Sequence, residues 1–286
     1  IKLLKKKIKS TKGTLKITSA MKLVSAAKLA RAQQAVLSTR PYAKELEETI
    51  KVVSALVQGY DHEFLKTKGE NKHSLLLVIS SSKGLCGGYN GQLMREIRSF
   101  LKKTDENIKV YFIGKKAKEL IGKEVNFGKF YTFEKLDPSY RELRDVAEEF
   151  SQMFTSGEVG KVYVAYNHFQ SAIRFEPKIK KVLPMTLEQA EKDELKGKYP
   201  FDFKYEPAPK EILDALIPET YYTNLYTSLL DALAAEHGSR MTAMDSASKN
   251  CKGMIKKLTL KMNKIRQAKI TTELIEIISG AEALNG

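Results

Sequence analysis

The sequence predicts a mixed fold: an α/β domain of mostly parallel strands, with long helices at both chain ends that pair as an antiparallel coiled coil. Three observations carry this. Apolar or small residues recur at sevens through Glu219–Leu284, a weaker version of the pattern runs through residues 1–57, and short apolar runs alternate with amphipathic stretches between them.

The first helix spans 1–57. Leu4, Ile8, Thr11, Leu15 and Thr18 step by four and three, and Met21, Val24, Leu29 and Val36 continue the stripe with drift. Alanines at 20, 26, 27, 30, 32 and 35 allow a partner helix to approach closely. Gly13 is tolerable at a cost of about 1 kcal/mol, whereas Pro41 is expected to kink the helix or begin a new segment. Gly59 and the polar run to Lys72 end it.

The centre of the chain changes character. Leu75 to Ile79 is a continuous apolar run, as expected of a strand buried on both faces. A glycine-rich turn follows, then helical spacing from Asn90 to Lys103. Strands are expected at 110–113, 127–133, 162–169 and 175–183, and helices at 115–122 and 139–155, the latter with Leu143, Val146, Phe150 and Phe154 on one face. Such alternation argues a Rossmann-like sheet with helices on its faces. Prolines 184, 200, 207 and 209 then lead into the last helix.

That helix carries two columns. One is Leu230, His237, Met244, Cys251, Leu258, Ile265 and Thr272; the other is Ala234, Met241, Ser248, Ile255, Met262 and Lys269. From Glu219 to Leu284 there is no proline, so the helix would be roughly 100 Å long, more than a compact domain of this size can enclose. It must project, and the other terminal helix is its natural cover. The expected domains are 1–58 and 210–286, forming one discontinuous shaft, and 74–206, the α/β domain. The competing arrangement is a bundle of ordinary helices broken at Pro41 and Gly238.

Charge is unevenly spread. The net charge is +15, with twelve Lys or Arg and no acid from Ile1 to Lys44, and eight and none from Ser246 to Thr272. Pairing these segments leaves the shaft basic, and an external acidic partner would offset the repulsion. A nucleic acid or an acidic protein surface would serve. Apart from Tyr42, neither stretch holds Phe, Tyr or Trp, and nucleic-acid readers usually intersperse aromatics. A protein partner is favoured over the alternative, a basic coiled-coil nucleic-acid-binding protein. Cys86 and Cys251 are expected to be reduced thiols. No apolar run approaches the ~20 residues needed to span a bilayer, and the basic amino terminus lacks a signal-peptide core. The expectation is a soluble, cytoplasmic protein, at a membrane only through a partner.

Candidate chemistry is thin. The loop Lys83–Gly91 follows a strand and opens a helix, where phosphates often bind. It lacks the Gly-Lys-Ser/Thr of a Walker A and misses the GxGxxG spacing, and a turn needing positive φ explains its glycines as well. His62, His73, His168 and His237 have no metal-ligand spacing, and neither cysteine has a CxxC partner. Asp137 and the acids of 139–155 fall on a solvent face. No nucleophile, base and orienter assemble. The expectation is no catalytic residue, no metal and no cofactor.

Several segments together resemble one family. Ile270–Ala281 (Ile-Thr-Thr-Glu-Leu-Ile-Glu-Ile-Ile-Ser-Gly-Ala), Lys16–Val24, Arg40-Pro41-Tyr42, the loop Gly84–Asn90, and Glu236–Met244 with Arg240-Met241 and Ala243-Met244 are similar to the gamma subunit of the rotary, proton-translocating ATP synthase. The resemblance spans the whole chain. Ser82-Lys83 departs from the Asp-Arg usual before the glycine loop, and the cysteine-bearing insertion of chloroplast members is absent.

The resemblance implies a non-catalytic rotor. The coiled coil would be the central shaft within a hexameric ring of alpha and beta subunits, and the sheet domain would meet the epsilon subunit and the c-ring, at the cytoplasmic face of the cell membrane. Proton flow would turn the shaft and drive catalytic sites on beta through their binding states. It further implies that Met21 and Lys22 lie near an acidic loop of beta, and that Arg266, Gln267 and Thr271 form a hydrogen-bonded contact with the ring. Glu273 would join those contacts, and residues 274–284, with Ile278 and Ala281, would form the tip in an apolar sleeve.

Overall fold

The computed structural model describes residues 1–57, 60–66, 73–133, 138–185, 197–199 and 203–285. Gly59, residues 67–72, Asp137 and most of the proline-rich 184–209 stretch lie outside them. In order come α1 (Lys2–Leu56), β1 (His73–Ile79), α2 (Tyr89–Lys103), β2 (Asn107–Ile113), α3 (Lys115–Ile121), β3 (Asn126–Tyr131), α4 (Tyr140–Thr155), β4 (Lys161–Ser171), β5 (Arg174–Leu183) and α5 (Pro209–Asn285). A 3-10 turn, Glu63–Leu65, follows α1. The chain forms two compact units, Ala26–Ser239 and Ile1–Ser25 with Arg240–Gly286.

The Ala26–Ser239 unit is built on a five-stranded sheet of order β3-β2-β1-β4-β5. Every pairing is parallel except β4 with β5. β1 shows why its sequence is apolar without alternation. Leu75, Leu77 and Ile79 enter one core with Phe150, Phe154 and Tyr221, while Leu76 and Val78 enter another with Leu93, Ile97 and Phe112. A strand covered on both faces has no polar side to display. α4 starts on a capping box, in which Ser139 Oγ accepts from Glu142 N and the Glu142 carboxylate accepts from Ser139 N. It buries Leu143, Val146, Phe150 and Phe154, the stripe expected from the sequence.

α1 continues through Pro41 as one helix, so of the two expected outcomes a new segment does not begin there. The missing N–H would have bonded the carbonyl of Leu37, and both residues are exposed, so water can satisfy that carbonyl. The sheet and the last helix meet closely at Gly238, where a Cβ would lie 2.8 Å from the Ala172 carbonyl oxygen in the β4–β5 turn. Gly253 in the same helix has open space around it. Gly253→Ala is therefore expected to stabilise by about 0.5–1 kcal/mol through helix propensity. Gly238→Ala should destabilise despite the same gain, because backbone must move. Urea unfolding of both variants checks this; the same sign for both would refute the contact.

In the other unit α1 and α5 run antiparallel. Thr11 Oγ1 reaches Met254 Sδ at 3.9 Å, Ser248 Oγ donates to Thr18 Oγ1 at 2.8 Å, and Lys22 Nζ bonds Asp245 Oδ1 at 2.6 Å. Leu4, Ile8, Thr11 and Leu15 are half-buried, and so are Cys251, Ile255, Leu258 and Met262. One inward position differs from expectation: Val24 is 60% exposed and Ser25 is 3% exposed. The register reaches Ile1 opposite about residue 265, extrapolated from those contacts at 1.5 Å per residue on both helices. Accordingly every residue from Lys264 to Gly280 is exposed, including Ile265, Lys269 and Thr272 of the heptad columns. The two helices cover each other only up to that point.

Candidate partner-binding surface

The glycine loop serves the fold. Gly87 takes φ +57°, and so, unexpectedly, does Leu85 at +63°, while Gly88 is at −80°. Its polar groups are turned inward: Ser239 Oγ donates to Cys86 O at 2.5 Å and Tyr89 OH donates to Ala232 O at 3.0 Å. Asn90 Nδ2 donates to Ser81 Oγ at 2.8 Å, and Asn90 Oδ1 accepts from Ser81 N at 3.3 Å. A loop bonded in this way to α5 and to the end of β1 is a strand-to-helix turn locked against a helix, not an open cradle for phosphate.

A second polar cluster was invisible in the sequence. Asp231 on α5 is 3% exposed and accepts from Arg40 Nη2 of α1 at 2.7 Å. His168 Nδ1 of β4 lies 2.6 Å from its other oxygen, and Arg40 also donates to Phe169 O at 2.6 Å. The groups stand 63 and 191 positions from Asp231 along the chain, so no local spacing announced them. The hydrogen bonds of the cluster join helix to sheet, and no hydroxyl or thiol nucleophile takes part in them. Cys86 and Cys251 are free. Among the described residues no three His, Cys, Asp or Glu side chains gather as a metal site, and no helix is long and apolar enough to cross a membrane.

The residues proposed for partner contact all lie in the unit formed by Ile1–Ser25 and Arg240–Gly286. Met21 is half-buried beside the seam. Lys22 is not a bare cation: Asp245 takes hydrogen bonds from Lys22 at 2.6 Å and from Lys249 at 2.7 Å. Asp245 immediately precedes the acid-free run. These two ammonium groups, Lys22 first, pull the Asp245 carboxyl down to about 2. A carboxyl depressed in the folded state adds stability above its unfolded pKa near 4, lost as pH falls toward 2. Asp245→Asn should therefore lower the melting temperature at neutral pH and leave it unchanged near pH 2, followed by circular dichroism. An equal deficit at both pH values would count against the linkage.

Arg266, Gln267, Thr271, Glu273 and Ile278 are all exposed on α5, past the end of the cover from α1. Thr271 Oγ1 donates to Gln267 O at 3.0 Å, and Glu273 pairs with Lys269 at 3.2 Å. Gln267, Thr271, Leu274 and Ile278 follow one another at four and three, so they form one stripe. Ala281 is helical, and its side chain lies outside the described residues. Ile270, Leu274, Ile275, Ile277 and Ile278 are between 49% and 68% exposed. This helix end thus presents a run of large apolar side chains with no cover from α1.

Comparison with known proteins gives a consistent answer. A family profile described as ATP synthase matches residues 1–284. The ATP synthase gamma chain of Geobacter metallireducens is 39% identical over 289 residues, covering 100% of this chain and 99% of that one. The Flavobacterium johnsoniae gamma chain is 38% identical over 292 residues, covering 100% and 99%. Among solved structures, a chain of the Euglena gracilis mitochondrial ATP synthase (OSCP/F1/c-ring, rotational state 3) matches with TM-score 0.69 at 19% identity, covering 99% of this chain and 94% of that chain. One from the rotor of the same enzyme in rotational state 1 matches with TM-score 0.65 at 18% identity, covering 94% and 98%. At those identities the structures speak to fold alone, and the fold agrees: long terminal helices around a mostly parallel sheet. With a full-length profile match and full-length relatives near 39% identity, the chain belongs to the ATP synthase gamma-chain family.

Proposed function

We propose that the chain is the central-stalk rotor of a proton-translocating ATP synthase, a non-catalytic subunit that couples c-ring rotation to the catalytic cycle of beta subunits. The paired termini, 1–58 with 210–286, act as the shaft, and 74–206 as the domain that meets epsilon and the c-ring. The complex would sit at the cytoplasmic face of the cell membrane. The observation that carries the reading is the uncovered helix Lys264–Gly280, apolar at its end and flanked by acid-poor basic turns. Such a segment is unfavourable in water and suits an apolar sleeve reached past an acidic collar. The nucleic-acid alternative is not supported: the full-length relatives are ATP synthase gamma chains.

A rotor must bear torque without tight adhesion, so its ring contacts should be weak and repeated. Exposed charge pairs of about 0.2–1 kcal/mol suit this better than a deep apolar lock. The test is reconstitution with alpha and beta subunits, isolation of the complex and assay of ATP hydrolysis. One copy of the chain per hexamer, with hydrolysis dependent on it, supports the reading; no complex would overturn it. Arg266→Ala is expected to weaken retention in that complex while changing the stability of the free chain by no more than about 0.5 kcal/mol. Unchanged retention and rate with a much lower melting temperature would contradict the assignment.

A further inference from the structure

The sheet has an edge that the rotor reading does not use. β3 pairs with β2 and, among the described residues, with no other strand. Its register slips: Val110 faces Phe127, and Phe112, two residues on, faces Phe130, three residues on. The extra residue of this bulge brings both rings onto the face shared with α2 and α3, where Val110 and Phe112 lie. Phe127 stacks on Phe112 at 5.9 Å and 17° yet remains 42% exposed. Between α3 and β3 these rings floor a cleft of roughly 420 Å³.

Lysines rim it. Lys118 Nζ stands 4.8 Å from the Phe130 ring centre and 5.6 Å from that of Phe127. Carboxylates of α3 and the turn after it are already taken: Glu119 by Lys115 and Lys116, and Glu124 by Arg98. Lys118 and Lys123 line the cleft with no carboxylate partner among the described residues. We propose that this cleft docks an acidic, extended segment of a partner protein, lying along β3 with an apolar side chain on Phe127 and Phe130 and carboxylates on Lys118 and Lys123. Charge complementarity and the unpaired strand edge both favour it. A single-stranded nucleic acid would also use aromatics and lysines. Two uncompensated ammonium groups beside Glu119 are too few for a phosphate track of the ~6–10 contacts that tight binders make.

The test uses the full chain and a fluorescein-labelled peptide of alternating valine and glutamate, read by fluorescence anisotropy. A valine–lysine peptide and oligothymidylate serve as controls. Saturable binding of the acidic peptide, with slowed amide exchange in residues 126–131, is expected. Lys118→Glu with Lys123→Glu should weaken it by about tenfold or more, while circular dichroism shows the fold unchanged. Phe127→Ala should weaken it as well. The proposal is overturned by absence of saturable binding, by equal binding to the lysine variant (attraction to the basic helices alone), or by tighter binding of oligothymidylate. None of these outcomes bears on the rotor reading, which rests on assembly.

Discussion

Gly114→Ala is expected to destabilise the Ala26–Ser239 unit by at least about 3 kcal/mol, enough to lower the yield of folded chain. Gly114 follows β2 and caps α3 with φ +89° and ψ 131°, a region that side chains seldom enter. Strain is only part of the cost. A Cβ there would stand 2.0 Å from the Ser80 carbonyl oxygen and 2.5 Å from its carbon. Ser80 cannot step aside, because its N–H donates to Ile113 O at 2.8 Å and its Oγ accepts from Ala117 N at 3.0 Å. Gly157 supplies the control: φ is +83° but nothing lies within 4 Å of its Cβ position. Gly157→Ala should cost only about 1 kcal/mol, the strain alone. Urea unfolding of the two variants separates strain from collision, and equal costs would mean that the Ser80 contact is soft.

The parts legible in the sequence share a physical property: their signal is local. β1 and β2 announce themselves because both faces are buried, and α4 because one face is. The terminal pair was legible from two stripes seeking cover, yet the inward residue after Met21 was misplaced from Ser25 to Val24. Continuing by four and three from Thr18 lands on Lys22 and Ser25, the buried position, whereas stepping by threes to the apolar Met21 and Val24 follows hydrophobicity off the seam. Pro41 begins no new segment because the cost of a helical proline depends on whether the orphaned carbonyl reaches water, which a sequence does not state. The Lys22–Asp245 pair left no mark in the charge pattern because Asp245 stands one residue before the acid-free run that begins at Ser246. The loop contacts of Cys86 and Tyr89 with α5 span 153 and 143 positions. The cluster around Asp231 escaped for the same reason: tertiary pairing leaves no period to read.

That cluster carries the other large expected effect. Asp231→Ala should cost about 3 kcal/mol, since removing one member of a buried charged network leaves its partners without compensation. The side chain is 3% exposed and holds Arg40 of α1 and His168 of β4 on separate oxygens, so a single carboxylate joins three elements. Asp231→Asn is no mild substitute. The amide would offer an N–H₂ where the native oxygen accepts, and would aim a donor at Arg40 or at His168. Converting both Arg40 and Asp231 to leucine should be less damaging than Asp231→Ala, because no charge is then left without its counterpart. Arg40 is about one-third exposed, which tempers the loss by letting water reach its guanidinium. In the rotor reading these bonds also hold both long helices to the sheet. The Asp231→Ala complex should therefore lose proton-coupled synthesis more than uncoupled hydrolysis, measured side by side in reconstituted vesicles. A variant that unfolds with a deficit below about 1 kcal/mol, and couples normally, would show the cluster to be dispensable to both fold and torque.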